Sequence, residues 1–326
     1  MFKLEKYYYK QIIDMDTIDT ESARTYEYKI NGDHLSKIYK KEFITIYHND
    51  LKYKSFNNID IDRVQSLDND DKNTDTLEYR FQECIDSNYK TLDLSHLNLT
   101  ELPKIPKSIS ENLEFLFMSE NKLTFIEDLS YLSKLKVLDL CNNQLQNLPD
   151  LPETIVELMI RNNKLTNINC LKEYYYLKRL DCSDNEIITM PDIDSLKVLI
   201  CDNNKLISIP KMKRLVKLSC SNNQITNIKT NECLEILECD NNLIESLCNF
   251  QNLLELYCSK NDIRRLENLN KLQVLHCYKT KINKIEYYQD LKELLCDYRP
   301  DIALSKFYKI EESDIYKNSI ILLKFH

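Results

Sequence analysis

Seven cysteines recur at one spacing: Cys182, Cys201, Cys220, Cys239, Cys258, Cys277 and Cys296, each 19 residues after the last. Thiolates bind soft metals and carry redox chemistry, so the series is a natural place to look for a site. A thiolate metal site needs ligands that converge tetrahedrally on one ion. Here each cysteine closes the same Leu-x-Cys triplet, from Leu180-Asp-Cys182 to Leu294-Leu-Cys296. A fixed period predicts one structural position in stacked, equivalent turns. The thiols then form a column along an axis instead of a cluster around a point. Parallel strands lie about 4.8 Å apart, whereas disulfide Cβ atoms prefer ~3.8 Å. The column therefore predicts reduced, buried cysteine acting as a small hydrophobe. Cys141 lies off the column and is expected to face outward beside Asp139.

Other chemistry finds little support. The five histidines are dispersed. His276 is expected at an outward position and its neighbour Cys277 at an inward one, so the two cannot form a dyad. The only glycine is Gly32, which excludes a Gly-rich phosphate loop. No nucleophile elbow, zincin or kinase motif is present. The chain is expected to be non-catalytic and to need neither cofactor nor metal.

The carboxylates suggest binding instead. If Leu-x-Leu and Leu-x-Cys mark short parallel strands, the apolar residues point inward and those between them point out. The central outward column then reads Asp93, Phe117, Asp139, Met159, Asp181, Ile200, Ser219, Glu238, Tyr257, His276 and Leu295. The next reads Ser95, Ser119, Cys141, Arg161, Ser183, Asp202, Ser221, Asp240, Ser259, Tyr278 and Asp297. Asp139, Asp181, Asp202, Glu238 and Asp240 give this face an acidic centre, and Tyr257, His276 and Tyr278 follow toward the C-terminus. That combination suits a protein partner with basic and apolar groups. Exchanging Asp181, Asp202 and Asp240 for lysine is expected to abolish binding without unfolding the chain.

These columns require a regular scaffold. From Leu92 the pattern L-x-x-L-x-L-x-x-N-x-L repeats. Its asparagines are Asn121, Asn143, Asn163, Asn185, Asn204, Asn223, Asn242 and Asn261, with Thr280 at the tenth copy. A buried amide needs partners, so each asparagine is expected to bond the backbone of its own and adjacent turns. With almost no glycine, the turns must place Asn and Asp at positive φ. This pattern resembles the leucine-rich repeat family over about residues 88–302. Leu151-Pro-Glu-Thr-Ile-Val-Glu-Leu is similar to the short repeats of bacterial effectors, and the later N-x-I-x-x-I copies to the intracellular subclass. The resemblance implies a β-rich solenoid of the α/β-horseshoe class. It would have ten to eleven rungs on a concave parallel sheet and extended or 3₁₀ segments behind. It also implies a protein-binding role.

Residues 1–87 carry no repeat. They are expected to form a small β-rich cap with an acidic linker at 68–75 and a helix over 77–85. Residues 303–326 are expected to be the C-terminal cap, with the apolar run 319–325 packed on the last rung. An adaptor that recruits an enzyme such as a ubiquitin ligase through residues 1–87 is an alternative, as is a structural scaffold. The ligase domain that follows the repeats in some effectors is not expected here.

Over the 326 residues 43% are hydrophobic, and net charge is −8. That acidity argues against non-specific nucleic-acid binding. No apolar run reaches the ~18 residues of a membrane helix, and no secretory signal is evident. A cytoplasmic monomer with no membrane contact is expected.

Overall fold

The computed structural model describes residues 76–229, 231–285 and 288–297, together with two strands at 315–316 and 320–324. The β-rich cap and acidic linker expected over residues 1–75 lie outside the described residues. The description begins with a helix, α1 (Leu77–Asp86). Its start follows from the sequence: Thr76 Oγ1 accepts from the Tyr79 amide, and Glu78 sits in the positive first turn. Leu77, Phe81, Cys84 and Ile85 share one face at helical spacing and pack against the core. Ser87 ends the helix by donating its amide to the Glu83 carbonyl, and the chain turns through positive φ at Asn88 and Tyr89. The helix packs on the first strand and shields the open edge of the sheet.

The strands that follow are short. They are β1 (Thr91–Asp93), β2 (Phe115–Phe117), β3 (Val137–Asp139), β4 (Glu157–Met159), β5 (Arg179–Asp181), β6 (Val198–Ile200), β7 (Ser208–Ile209) and β8 (Lys217–Ser219). Then come β9 (Asn227–Ile228), β10 (Ile236–Glu238), β11 (Ser246–Cys248), β12 (Glu255–Tyr257), β13 (Arg265–Glu267), β14 (Val274–His276) and β15 (Glu293–Asp297). Eleven of them run parallel in one sheet, in the order β1-β2-β3-β4-β5-β6-β8-β10-β12-β14-β15. Behind that sheet, β7 pairs with β9 and β11 with β13, both parallel. A 3₁₀ turn, Asn169–Glu173, fits into one of the 22-residue copies. Nineteen residues leave room for extended backbone on the outer side but not for a helix. At the far end, β17 (Ile320–Lys324) pairs antiparallel with β15, and β16 (Ile315–Tyr316) pairs antiparallel with β17. The last parallel rung is therefore paired on both sides.

The core runs along the axis. Each rung contributes the central strand leucine, the residue two further on, and apolar residues from the turns, nearly all excluded from solvent. In the early copies the second slot holds Leu94, Met118, Leu140 and Ile160, and from the fifth copy it holds the cysteine column. The narrower side chain coincides with the shortening of the repeat to 19 residues.

Turns without glycine follow a rule. The residue before each ladder asparagine has φ between 53° and 57°: Glu120, Asn142, Asn162, Asp184, Asn203, Asn222, Asn241 and Lys260. Asn and Asp tolerate this left-handed conformation, and Lys does so at a cost. In addition, Asn241 Nδ2 donates to Asn222 Oδ1, a short amide ladder on the surface. Lys260→Asn should stabilise the fold by about 0.5–1 kcal/mol, read as a higher urea midpoint with an unchanged m value.

Candidate functional site

The asparagine column is fully bonded. Asn223 Nδ2 donates to the carbonyls of Cys201, Cys220 and Ser221 at 3.0, 3.1 and 3.2 Å. Its Oδ1 accepts the Leu206 amide at 3.0 Å. Asn121, Asn143, Asn163, Asn185, Asn204, Asn242 and Asn261 each donate to the preceding rung and to their own turn in the same way. Thr280 replaces the amide with a hydroxyl that donates to the Cys277 carbonyl. This column is structural, since it ties each rung to the one before.

The cysteine column is equally internal. Cys182, Cys201, Cys220, Cys239, Cys258, Cys277 and Cys296 are at most 2% exposed. Burial pushes the thiols of Cys182, Cys201, Cys220, Cys239 and Cys258 well above the usual thiol range, and neighbouring carboxylates add to the effect. Such thiols stay protonated and poorly nucleophilic. Cys141 is part-exposed, and burial followed by Asp139 and Asp181 raises its thiol well above the usual range, so the partly open position does not make it reactive. Cys170 and Cys233 are exposed. In native buffer, a maleimide should modify Cys170 and Cys233 first, with the seven column cysteines following only on unfolding. Mass spectrometry of the digested protein reads the order, and early labelling of Cys220 would contradict the burial.

The outward columns are in register throughout. Asp93 pairs with Phe117, Phe117 with Asp139, and so on through Met159, Asp181, Ile200, Ser219, Glu238, Tyr257, His276 and Leu295. The columns are continuous, but they are not the solvated acidic surface that their composition suggests. Asp139, Asp181 and Glu238 are 8%, 4% and 3% exposed, and Asp202 and Asp240 are half-buried. The reason lies in the short residues beside them. A serine one rung away or two residues on, or Cys141 in the case of Asp139, lets each carboxylate bond within the sheet instead of reaching for water.

Asp139 Oδ1 accepts the Cys141 amide at 2.9 Å. Asp181 Oδ1 accepts both the amide and the hydroxyl of Ser183, at 3.1 and 2.7 Å. Asp240 Oδ1 accepts the Ser259 amide at 2.6 Å, and Asp202 Oδ1 the Ser221 amide at 2.6 Å. Burial is the main cause that raises Asp240 to about 6, with Glu238 adding to it against the Ser259 bonds. A lysine at Asp181 would put an ammonium where a buried carboxylate now accepts two bonds. The triple exchange to lysine would therefore damage the sheet, contrary to the expectation that it leaves the fold intact.

The charged partner of Glu238 comes from a column that the sequence reading did not use, the first residue of each strand. Lys217 Nζ donates to Glu238 Oε1 at 2.8 Å, and each side chain is only 4% exposed. The same column supplies Glu255 and Glu293. The Tyr257 hydroxyl donates to Glu255 Oε2 at 3.0 Å, and His276 Nε2 lies 2.8 Å from Glu293 Oε1. Tyr257 and His276 meet edge to face, with ring centroids 4.8 Å apart. Together with half-buried Tyr278 they form an aromatic and acidic patch on β12, β14 and the turn after β14. Counting two positions earlier on each strand would have revealed these partners. The most exposed large apolar residues lie elsewhere, at Tyr175, Tyr176 and Phe125.

Among the described residues no group of three or more His, Cys, Asp and Glu could hold a metal, and no helix is long and apolar enough to cross a membrane.

The parallel sheet, the asparagine column and the extended backs define a β-rich solenoid of the horseshoe class. The model for "Leucine Rich repeats (2 copies)" matches residues 111–153. Over those residues the chain matches the leucine-rich repeat family, and its solenoid has the fold of leucine-rich repeat structures. Similar solved structures include YopM from Yersinia enterocolitica, with 22% identity over 73% of this chain and 62% of that one, at a TM-score of 0.54. The leucine-rich effector protein YopM from Yersinia pestis is 25% identical over 63% of this chain and 64% of that one, also at 0.54. A leucine-rich repeat protein of Leptospira interrogans is 24% identical over 68% of this chain and 74% of that one, at 0.50. The chain spans under two-thirds of the length of either YopM structure. No curated protein sequence matches it. Leucine-rich repeat arrays generally serve as protein-interaction modules and are typically non-catalytic.

Proposed function

We propose that this chain is a non-catalytic binding module that recognises a protein partner through the C-terminal half of its strand face. The observation that carries the reading is the patch built by Tyr257, His276 and Tyr278 beside Glu255 and Glu293. Tyrosines presented on a rigid sheet offer large contact area at low entropic cost, and the adjacent carboxylates favour a partner with basic groups beside apolar ones. Asp202 and Asp240, both half-buried, extend the acidic character toward the centre, whereas Asp139, Asp181 and Glu238 support the face from within. The net charge of −8 is unfavourable for nucleic acid, and the reduced cysteine column suits a reducing compartment such as the cytoplasm.

The test compares affinity capture from the native cell by the wild-type chain, a Tyr257→Ala/Tyr278→Ala variant and a Tyr175→Ala/Tyr176→Ala variant. The partner should be lost, or weakened at least tenfold, only with the first variant, while the urea midpoints of all three stay close. Retention by the first variant and loss with the second would move the site off the strand face.

A further inference from the structure

We propose that Asp202 and Glu238 share one titrating proton through the Ser219 hydroxyl, which makes the centre of the array a proton-responsive element. The argument is one of donor inventory. Ser219 Oγ lies 2.9 and 2.8 Å from the two carboxylate oxygens of Asp202 and 2.9 Å from Glu238 Oε2. A hydroxyl carries a single hydrogen and can donate to only one of them. With both acids ionised, one carboxylate would face a serine lone pair at hydrogen-bond distance. One added proton removes the conflict. Asp202 then donates from Oδ2 to Ser219 Oγ, Ser219 donates to Glu238 Oε2, and Lys217 Nζ donates to Glu238 Oε1. Asp202 Oδ1 keeps the Ser221 amide. Each contact along this series then joins one donor to one acceptor.

The surroundings agree on which acid holds the proton. Glu238 has the buried ammonium of Lys217, and Asp202 has only neutral donors, from Ser219 and Ser221. The charged groups on the same face are Arg179 and Asp181 on β5, Lys217 on β8, and Glu238 with Asp240 on the rung beyond. Asp184, in the turn beside Asp202, is engaged by Arg161. The thiols of Cys201 and Cys220 lie on the opposite side of the sheet. Burial first, then Glu238 and Asp181, raises Asp202 to about 7 against the lowering effect of the Ser219 and Ser221 bonds. Proton release therefore falls near neutrality and adds one negative charge to the face. This concerns the free chain and does not depend on any partner.

The sign for stability follows from linkage. The native state binds the extra proton between the ordinary aspartate value and about 7, so its contribution is full at low pH, declines as pH rises through that window, and is flat above it. Infrared difference spectra between pH 5.5 and 8.5 read the protonated carboxyl directly in the wild type, Asp202→Asn and Glu238→Gln. The wild type should show a protonated-carboxyl component that disappears with a midpoint near 7 and is missing in Asp202→Asn, while the component of Asp240, with its midpoint near 6, persists in both. In Glu238→Gln the midpoint should drop by about one pH unit or more, because a charge that disfavours ionisation is gone. Asp202→Asn mimics the protonated acid and should lose less stability between pH 5.5 and 8.5 than the wild type. No band difference between the wild type and Asp202→Asn would overturn the proposal. So would a midpoint that ignores Glu238→Gln, which also serves should Asp202→Asn not fold.

Discussion

Lys217→Met should cost about 3–5 kcal/mol of stability at neutral pH. The substitution keeps most of the side-chain volume and removes one charge, so the loss isolates electrostatics. Lys217 and Glu238 are each 4% exposed and bonded at 2.8 Å. Without the ammonium, Glu238 is a buried carboxylate left with the Ser219 hydroxyl as its donor. Its escape is to take up a proton, so the loss should shrink as pH falls. Lys217→Met/Glu238→Leu should recover to within about 1–2 kcal/mol of the wild type, because a buried ion pair contributes little beyond a packed apolar pair. Urea denaturation of the two single variants and the double gives the coupling energy directly. A loss below about 1 kcal/mol for Lys217→Met would mean that water reaches Glu238 in solution.

Asn223→Leu should cost a similar amount by a different route. It removes the partner of the Leu206 amide and the donor to the carbonyls of Cys201, Cys220 and Ser221. Each buried orphan costs about 1–3 kcal/mol, and leucine cannot occupy the amide's place without pushing the turn outward. We expect a loss of about 3 kcal/mol or more. Because Asn223 lies near the middle of the array, the damage should also split its cooperativity. Equilibrium unfolding should then show two transitions, or a lowered m value, instead of one sharp step. A single transition with an unchanged midpoint would show that the ladder bonds are replaceable by water. The tenth copy, where the Thr280 hydroxyl takes the place of the amide and donates to the Cys277 carbonyl, is the position at which the same change should matter least.

The contrast between these residues marks where reading the sequence succeeds. Asn223 was legible because its column repeats every 19 residues and a buried amide has few alternatives to bonding its own and adjacent backbone. The cysteine column was legible for the same reason, as were the outward columns, whose register follows from strand alternation. Lys217 was not legible. Its position on a strand is as clear as that of Glu238, but a lysine in an outward column ordinarily reaches water, and only the packing of adjacent rungs turns it inward upon a carboxylate. Asp139 and Asp181 were misjudged likewise: their outward direction was correct, and their exposure was not.

Periodicity alone thus determined the fold class, the solenoid, the identity of the ladder residues and the membership of each column. These depend on local geometry that a repeat must reproduce in every copy. The tertiary structure decided which members of a column are accessible, which are paired and which carry perturbed protons. Those properties depend on what stands one or two rungs away, about 5–10 Å across the sheet. Neighbouring rungs differ in just those side chains, so the period that reveals the scaffold carries no information about them.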